Sequence, residues 1–369
     1  MHIDSPRPLR VLISGGGTGG HIFPALSIAD ALKRVNPKTE ILFVGAQNRM
    51  EMEKVPAAGY EIVGLPVAGF DRKRLWRNAG VLVKLARSLA KAKSIVRNFR
   101  PDVAVGVGGY ASGPVLKQAQ KQGIPTVLQE QNSYAGVTNK MLASKAKAIC
   151  TAYPGMERFF PAETIVLTGN PVRQALMECK LSKEEACEAL GFDPSKPLLF
   201  VTGGSLGART INNSVEAALK QFEDAGIQVL WQTGKLYAEH CAEVAKPYPL
   251  VKAMPFIADM ATAYRAADLV VARAGAGTIS ELELLGKPAI LIPSPNVAED
   301  HQRKNAESLT SRGAAVMILD ADAPAQLGRE VCALITDNEK LKSLSDAVTA
   351  LAKEGSADRI AEIIYSVVS

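Results

Sequence analysis

Cysteine and histidine are scarce in this chain of 369 residues. Its five cysteines and four histidines form no CxxC pair and no cluster with metal-ligand spacing, which argues against a metal site and a disulfide framework. We therefore expect reduced thiols and a cytoplasmic protein. The chain also lacks a run of about 18 apolar residues, so we expect no membrane-spanning helix. The N-terminal segment lacks the apolar core of a signal peptide, so we expect no secretion signal.

Aromatic residues are also rare, at 5% of the chain. No stacking platform for bases is evident, so we expect no nucleic-acid partner. Charge is distributed unevenly: residues 1–170 contain 23 basic and 11 acidic side chains, whereas residues 171–369 contain 20 and 26. A basic half favours an anionic lipid surface or an acidic substrate as its partner.

Apolar segments of strand length alternate with helical patterns almost throughout the chain. They are hydrophobic on both faces, as in Val103-Ala104-Val105, which is typical of parallel strands covered by helices on both sides. The pattern predicts an α/β protein with two doubly wound parallel-sheet domains. The predicted strands are Arg10–Ser14, Glu40–Gly45, Asp102–Val107, Pro125–Gln129, Ala148–Thr151, Thr164–Thr168, Pro197–Thr202, Ile227–Gln232, Asp268–Ala272, Pro288–Ile292 and Ala315–Leu319.

The predicted domain boundary lies at Gly169-Asn170-Pro171, because a proline disfavours helix at the residue before it. We therefore expect an N-terminal domain over residues 1–170 and a C-terminal domain over residues 171–346. The remaining residues, from about 347 to 369, have a helical pattern.

Three glycine-rich turns stand out, at Gly15–His21, Gly108–Pro114 and Gly203–Arg209. The first and third follow a predicted strand and precede a predicted helix. Such turns expose backbone N–H groups at a helix N-terminus, where phosphate binds well. Their presence in both halves predicts a cleft that holds two phosphate-bearing molecules.

The first turn has the GxGxxG spacing of a dinucleotide site. That interpretation needs an acidic residue about 20 positions further on, at the end of the second strand, to bind the ribose. The second predicted strand is followed by Ala46-Gln47-Asn48, without an acid. The sequence therefore argues against a nicotinamide cofactor, and we expect no cofactor.

Candidate catalytic and binding residues in the first half lie next to these turns. His21 follows the first glycine turn, and an imidazole is suited to taking a proton from a hydroxyl nucleophile; a structural hydrogen bond to the next loop is the alternative. Tyr110 and Ser112 are candidate substrate contacts in the second turn. Asn132 is a candidate sugar contact at a strand's carboxyl end, and Glu130 beside it is either a ligand or a buried structural partner.

The second half offers three further candidates. Ser205 in the third turn can donate to phosphate through its hydroxyl and its backbone N–H. Glu281 lies one turn into a predicted helix, where it either binds a ribose diol or only stabilises the first turn of the helix. Gln302 is either a sugar contact or an exposed helix residue.

The segment 72–101 contains ten basic residues and no acidic one. Its apolar residues follow helical spacing, and a basic amphipathic helix near Trp76 suits an anionic membrane surface. The alternative is a helix packed on the sheet with a solvated basic face. The two are compatible if Arg72–Arg77 contact lipid while Leu85 and Leu89 are buried.

Taken together, these motifs resemble the MurG family of peptidoglycan glycosyltransferases. In order they are GGGTGGHIFPAL, GVGGYASGP, QEQN, GNPVR, GGSLGAR, RAGAGTISEL and PSPNVAEDHQRKNA. The resemblance implies a GT-B fold, with two Rossmann-like domains and an interdomain cleft. It also implies that a C-terminal helix over about 347–369 packs back on the N-terminal domain.

The implied reaction moves GlcNAc from UDP-GlcNAc to the C4 hydroxyl of MurNAc in lipid I, which forms lipid II. The family works at the cytoplasmic face of the bacterial inner membrane, in peptidoglycan synthesis and hence in cell division and cell shape. The resemblance therefore implies that the N-terminal domain faces the acceptor and an anionic membrane surface, which the segment 72–100 would contact.

The resemblance also implies site residues. The C-terminal domain would bind UDP-GlcNAc. Phe256 and the backbone of Ile257 would contact the uracil, Glu281 the ribose, and Ser205 the diphosphate. The phosphates and sugar would lie along Ala276, Gly277 and Thr278, and Gln302 would contact GlcNAc. The donor site would be completed by Thr18, Gly19, Gly20, Asn132 and Arg173. Lipid I would lie at Gly17, His21, Gly109, Tyr110 and Ser112.

The implied mechanism is direct displacement with inversion, in which His21 is the general base. The DxD metal motif of many other glycosyltransferases is absent, so we expect no metal. Three alternatives stay open: a UDP-GlcNAc 2-epimerase of the same fold, an NAD-dependent oxidoreductase, and a non-catalytic protein that binds UDP-sugar at a membrane surface.

Overall fold

The computed structural model describes residues 7–67 and 79–368 and divides into two compact units. The first comprises Met1–Arg173 and Glu354–Ser369, and the second comprises Gln174–Lys353. The first boundary therefore lies three residues beyond the expected Asn170/Pro171 junction. Arg173 still belongs to the first unit, where its guanidinium lies 5.0 Å from the centre of the Phe23 ring. The returning segment is shorter than expected, because residues 347–353 belong to the second unit.

The first unit is built on a seven-stranded parallel sheet with the strand order β3-β2-β1-β4-β5-β6-β7. The strands are β1 (Arg10–Ser14), β2 (Glu40–Ala46), β3 (Glu61–Leu65), β4 (Val103–Gly106), β5 (Thr126–Glu130), β6 (Ala148–Thr151) and β7 (Ile165–Leu167). The described helices are α1 (Gly19–Val35), α2 (Glu51–Ala57), α3 (Ala79–Phe99), α4 (Ser112–Lys121), α5 (Val137–Leu142) and the C-terminal α15 (Ser356–Ser366).

The second unit repeats this architecture with a six-stranded parallel sheet in the order β10-β9-β8-β11-β12-β13. Its strands are β8 (Leu198–Thr202), β9 (Gln228–Gln232), β10 (Val251–Met254), β11 (Leu269–Ala272), β12 (Ala289–Leu291) and β13 (Val316–Met317). Its helices are α6 (Gln174–Glu178), α7 (Lys183–Ala189), α8 (Arg209–Asp224), α9 (Ala238–Ala245), α10 (Met260–Ala266), α11 (Ala276–Leu285), α12 (His301–Thr310), α13 (Ala323–Ile335) and α14 (Asn338–Thr349).

Hydrophobic cores lie on the sheets of both units because the inner strands are apolar on both faces. Strands β1, β4, β8 and β11 are buried almost throughout. The predicted α/β class with two Rossmann-like domains is confirmed. The C-terminal helix packs on α1 and contributes Ile360, Ala361 and Ile364 to the core of the first unit. An ion pair of 2.6 Å between Arg34 and Asp358 joins the same two helices.

Each sheet reverses its strand order at one point, between β1 and β4 in the first unit and between β8 and β11 in the second. In open parallel sheets, ligands bind outside the carboxyl ends of the strands at such switch points. All three glycine-rich turns begin at these strand ends. The fold therefore places them where a ligand site is expected.

Helix α3 corrects one expectation for the basic segment. Its buried side chains are Ser88, Ala92 and Val96, whereas Leu85 is 39% and Val83 is 53% exposed. Leu85 therefore does not pack on the sheet, because the packing face is rotated away from it. Arg72–Arg77 and Trp76 lie outside the described residues. No helix in the described part of the chain is long and apolar enough to cross a membrane.

Candidate active site

A buried carboxylate shapes the first glycine turn. Both oxygens of Glu51, which is 1% exposed, lie 3.0–3.1 Å from the backbone nitrogen of Gly17, and Oε1 also accepts from Ala46 N–H at 2.9 Å. The N–H of Gly17 is therefore already bonded to an anion, which corrects the idea that this whole turn exposes its N–H groups. The prediction that Gly17 contacts the acceptor does not extend to this N–H.

The second glycine turn packs directly on the first. Gly108 and Gly109 have φ values of 90° and 86°, which are rarely adopted by other residues. A Cβ at Gly109 would collide with the carbonyl oxygen of Gly16, and one at Gly108 would lie 2.7 Å from Cδ2 of His21. Both positions therefore need glycine for backbone shape and for close approach. The structure brings the first and second turns together, and both contain residues predicted to bind lipid I.

His21 lies in the first turn of α1, with its ring edge against Gly108. Its Nδ1 lies 3.1 Å from Oγ1 of Thr18, the residue that precedes the helix. A partner on Nδ1 fixes the ring orientation and directs Nε2 to the other side of the ring. Thr18 was predicted only to contact the sugar donor UDP-GlcNAc. The structure shows that its hydroxyl also contacts His21.

Ser112 and Tyr110 differ in accessibility. Ser112 is fully buried at the start of α4, and its hydroxyl donates to the carbonyl of Gly109 at 2.9 Å. The expected substrate contact through that hydroxyl is therefore wrong, because the side chain holds its own turn together. Tyr110 is 63% exposed at the same turn and can reach a ligand.

The QEQN motif after β5 is mostly structural. Glu130 is 2% exposed and accepts hydrogen bonds from Gly136 N–H and Asn139 Nδ2 at 2.9 Å each, and from Asn132 N–H at 3.1 Å. Burial raises the pKa of Glu130, and these hydrogen bonds oppose that rise. Of the two interpretations of Glu130, the buried structural partner is confirmed. Asn132 is half-buried beside it.

A chain of buried amides links this motif to the end of the first unit. Gln129 Nε2 donates to Asn170 Oδ1 at 2.9 Å, and Asn170 Nδ2 donates to the Gln131 carbonyl at 3.0 Å. Gln131 in turn donates to the Val107 carbonyl at 2.8 Å. These bonds connect Val107, which precedes the second glycine turn, to Asn170, which lies shortly before Arg173. The aromatic ring of Phe23, beneath the Arg173 guanidinium, also packs against Gly19.

In the second unit, Gln232 at the end of β9 organises the third glycine turn. Its amide nitrogen lies 3.0 Å from Thr202 Oγ1 and 3.2 Å from the Gly204 carbonyl. A Cβ at Gly207 would collide with the carbonyl of Thr233, so this turn also packs on its neighbour. Ser205 is exposed at the tip, as a phosphate contact requires.

The same glutamine holds the segment predicted for uracil. Gln232 Oε1 accepts from Ile257 N–H at 2.8 Å. The predicted backbone contact of Ile257 is therefore restricted to its carbonyl, because the N–H is already bonded inside the unit. Ile257 is 4% exposed, whereas Phe256 is 45% exposed and accessible to a planar base.

Helix α11 begins at Ala276, after Gly275, and a short turn separates it from the end of β11 at Ala272. Ala276, Gly277 and Thr278 form its first turn, where N–H groups have no acceptor within the helix and the helix dipole favours an anion. Nothing lies within 4 Å of a Cβ built at Gly277, so a ligand can approach the backbone closely. Glu281 follows one turn later and is half-buried; its Oε2 accepts from the hydroxyl of Tyr264 at 2.9 Å.

The remaining motif residues divide between structure and site. Arg273 forms an ion pair with Asp320, which also accepts from Thr210 at 2.9 Å. Gln302 Oε1 accepts from Ser294 N–H at 2.9 Å, so its amide nitrogen is the group that can donate to a sugar hydroxyl. Within residues 7–67 and 79–368, no group of three or more His, Cys, Asp or Glu side chains is arranged to hold a metal ion.

Several site-shaping residues were missed by the sequence analysis. They are Glu51, Phe23, Gln232 and Tyr264, which contact candidate residues from other elements. Each lies in an ordinary helical or strand pattern, so no local signal marks it.

Known proteins resemble this chain over nearly its whole length. The glycosyltransferase family 28 N-terminal domain model matches residues 11–151, and the C-terminal domain model matches residues 198–362. A UDP-N-acetylglucosamine--N-acetylmuramyl-(pentapeptide) pyrophosphoryl-undecaprenol N-acetylglucosamine transferase from Bacteroides thetaiotaomicron is 57% identical over 360 residues, covering 96% of this chain and 97% of the relative. A transferase of the same name from Phocaeicola vulgatus is 58% identical, covering 97% and 96%.

This chain belongs to the MurG family. Among solved structures, MurG from Acinetobacter baumannii is 28% identical with a TM-score of 0.77, covering 97% of this chain and all of that one. A putative UDP-N-acetylglucosamine 2-epimerase from Listeria monocytogenes has a TM-score of 0.70 at 15% identity, covering 98% of this chain and 97% of that one. At that identity the likeness shows the fold alone.

Proposed function

We propose that this chain transfers GlcNAc from UDP-GlcNAc to the C4 hydroxyl of MurNAc in lipid I, with inversion at the anomeric carbon. The observation that carries the proposal is the identity of 57–58% over nearly the full length to transferases whose names give UDP-N-acetylglucosamine as the donor and N-acetylmuramyl-(pentapeptide) pyrophosphoryl-undecaprenol as the acceptor. The product would be lipid II. The geometry of the three glycine-rich turns at the strand ends supports the same conclusion.

UDP-GlcNAc is assigned to the second unit. Phe256 is exposed for stacking on uracil, Glu281 presents a carboxylate for the ribose diol, and the exposed Ser205 lies at a glycine turn suited to phosphate. Ala276, Gly277 and Thr278 would place their N–H groups along the phosphates and sugar. Gln302 would donate its amide N–H to a GlcNAc hydroxyl.

The acceptor is assigned to the first unit, with His21 as the general base. His21 Nε2 would remove the proton from the C4 hydroxyl while that oxygen forms a bond to the anomeric carbon. The bond from the anomeric carbon to the UDP oxygen breaks, and its electron pair leaves with UDP. Gly109 and Tyr110 would bind the diphosphate of lipid I, whereas the N–H of Gly17 and the buried Ser112 are already bonded within the fold. Thr18, Gly19, Gly20, Asn132 and Arg173 would complete the donor site.

The departing UDP gains negative charge. In this proposal the protein stabilises that charge without a metal. The first turn of α11 supplies N–H donors and the positive end of the helix dipole. The third glycine turn supplies the N–H and hydroxyl of Ser205. Fixed backbone donors of this type do not have to reorganise when the bond breaks, which is why they stabilise developing charge effectively.

We further propose that the protein binds peripherally to the anionic cytoplasmic face of the inner membrane through the segment 72–100. The described end of this segment supports the proposal: Val83 and Leu85 are exposed next to the exposed Lys84 and Arg87. Apolar side chains flanked by basic ones bind an interface that contains anionic lipid.

UDP release from UDP-GlcNAc, measured with and without a lipid I analogue, tests the proposed reaction. We expect release that depends on the acceptor, together with a disaccharide-linked lipid product. An epimerase would form UDP-ManNAc without any acceptor, and a UDP-sugar sensor would bind UDP-GlcNAc but release no UDP. Either result would contradict the proposal.

A further inference from the structure

We propose that Tyr264 is a positioning residue that orients the Glu281 carboxylate toward the ribose of the donor. The inference rests on the proposed function, because it takes UDP-GlcNAc as the ligand of the second unit. Recognition of the ribose then depends on a second, buried side chain, which does not itself contact the nucleotide.

The contact between the two residues is short and its direction is fixed. Tyr264 Oη lies 2.9 Å from Glu281 Oε2, and an ionised carboxylate can only accept, so the phenol donates. Hydrogen bonds to a charged acceptor are about twice as strong as neutral ones. This bond holds Oε2 in place and thereby fixes the plane of the carboxylate.

Tyr264 itself is rigid. Its side chain is 1% exposed, and its ring packs edge-on against Phe200 of β8, with the centroids 5.4 Å apart and an angle of 84° between the planes. The ring therefore cannot follow a moving carboxylate. Glu281, in contrast, is half-buried.

Tyr264 also links two parts of the proposed donor site, because it lies on the helix that follows the predicted uracil-binding segment. Helix α10 begins after Asp259, whose carboxylate accepts from Thr262 N–H at 3.0 Å and caps the helix. The segment with Phe256 and Ile257 lies immediately before this cap. Tyr264 thus connects the helix that follows the base-binding segment to the carboxylate on α11. Base and ribose recognition would be set by one connected piece of structure.

The ligand class that this arrangement selects is a nucleoside diphosphate sugar with both ribose hydroxyls. A carboxylate held in one plane accepts from a vicinal diol with little loss of side-chain freedom, whereas a rotating one loses more. A donor whose ribose lacks these hydroxyls gains nothing from the fixed carboxylate. The role of Tyr264 is therefore visible only with a ribose donor.

The test replaces Tyr264 with Phe, which keeps the ring on Phe200 and removes the hydroxyl. With UDP-GlcNAc we expect KM to rise about tenfold, equivalent to about 1.4 kcal/mol, while kcat stays within about twofold because the bond acts on ground state and transition state alike. With the 2′,3′-dideoxyribose analogue of the donor, wild type and Tyr264→Phe should have nearly equal KM values. In a Glu281→Ala background, which has no acceptor for the tyrosine hydroxyl, Tyr264→Phe should have little further effect.

Tyr60→Phe is the matched control. Its hydroxyl donates to Asp30 Oδ1 at 2.6 Å in the first unit, so the same kind of bond is lost without a change in KM. An unchanged KM in Tyr264→Phe, or an equal penalty with the dideoxy donor, would overturn the positioning role while the proposed reaction stands. A wild-type protein that neither binds UDP in calorimetry nor releases it would overturn both. Thermal unfolding of each variant confirms that it is folded.

Discussion

At the scale of single residues, the candidate acceptor site depends on how little space surrounds one imidazole. His21 lies between Thr18 Oγ1 and the bare backbone of Gly108. The sequence predicted His21 as a candidate base because it follows a glycine turn. It did not indicate that a glycine about ninety positions later, in the second turn, leaves the room for the ring.

Replacing His21 tests its role as the base. His21→Ala should lower kcat at saturating UDP-GlcNAc and lipid I by at least about 100-fold, since general base catalysis contributes about that much. UDP binding should be unchanged. His240→Ala is the control, because that ring is exposed on α9 of the second unit, where its Nε2 lies 2.9 Å from Glu216 Oε2. Near-normal turnover of His21→Ala would exclude the base role.

Gly108→Ala tests whether the space at this glycine matters. The added Cβ would lie 2.7 Å from the His21 ring at a φ of +90°, so we expect the ring to move and kcat to fall at least about tenfold, as small misplacements of a catalytic group do. Gly123→Ala is the matched control, with a φ of +76° and nothing within 4 Å of its Cβ. It should cost about 1 kcal/mol of stability and retain activity. Equal activity of the two variants would contradict the argument.

Residue by residue, the sequence distinguished candidate positions better than it distinguished their roles. Ser112 and Glu130 stand in the motifs where ligand contacts were considered, yet both are buried and bonded within the fold. Short polar side chains at strand ends can bind a ligand or hold a turn. Only their partners in the folded chain decide between the two, and the sequence does not show which of the neighbouring groups, from Gly109 to Asn139, they contact.

At the scale of elements, the inner strands were predictable and two edge strands were not. Strands β1, β4, β8 and β11 have continuous apolar runs because helices cover both of their faces. Strands β3 and β10 each form one edge of their sheet, and the other edges, β7 and β13, were predicted. They begin or continue with exposed or half-exposed residues such as Glu61 and Lys252. A strand with one open edge does not need a fully apolar sequence, so its pattern is weak.

Helix α11 contains a half-buried acid, Glu283, that makes stability depend on pH. Burial raises the pKa of Glu283 from its ordinary value near 4.5 to about 7, although Arg312 and Lys353 oppose the shift. Between these two pH values the unfolded carboxyl is ionised while the folded one stays protonated. The contribution of Glu283 to the free energy of unfolding is therefore full below about pH 4.5 and is lost as the pH rises through about 7.

Glu283→Gln should remove this dependence. Relative to wild type, we expect the variant to gain about 1–3 kcal/mol in free energy of unfolding between pH 4.5 and pH 8. Urea unfolding of the full chain at a series of pH values measures the difference. Glu188→Gln, which alters an exposed carboxylate in the same unit, should show no such trend. If the free energy of unfolding of the wild type changed with pH in parallel with that of Glu283→Gln, Glu283 would not be the source of this pH dependence.

At the scale of the whole molecule, uneven charge predicts where the protein contacts a membrane. Wild type should bind vesicles that contain anionic lipid, and less tightly as salt is raised. Reversing two exposed charges of α3, with Lys84→Glu and Arg87→Glu, should weaken binding at least about tenfold, since each basic residue near the surface contributes about 1 kcal/mol. Vesicle co-sedimentation measures the effect.

The matched control reverses two exposed lysines on α14 of the second unit, with Lys340→Glu and Lys342→Glu. We expect vesicle binding close to that of wild type. Equal weakening by both pairs would mean that net charge, rather than the segment 72–100, governs attachment.

The helix α15 gives the chain an unusual order of assembly. Ile360, Ala361 and Ile364 fill the same core as Ile22 and Ile28 of α1, although the whole second unit separates them in sequence. During synthesis the ribosome makes α1 before the second unit and α15 after it. The core of the first unit is therefore incomplete until the entire second unit has been translated.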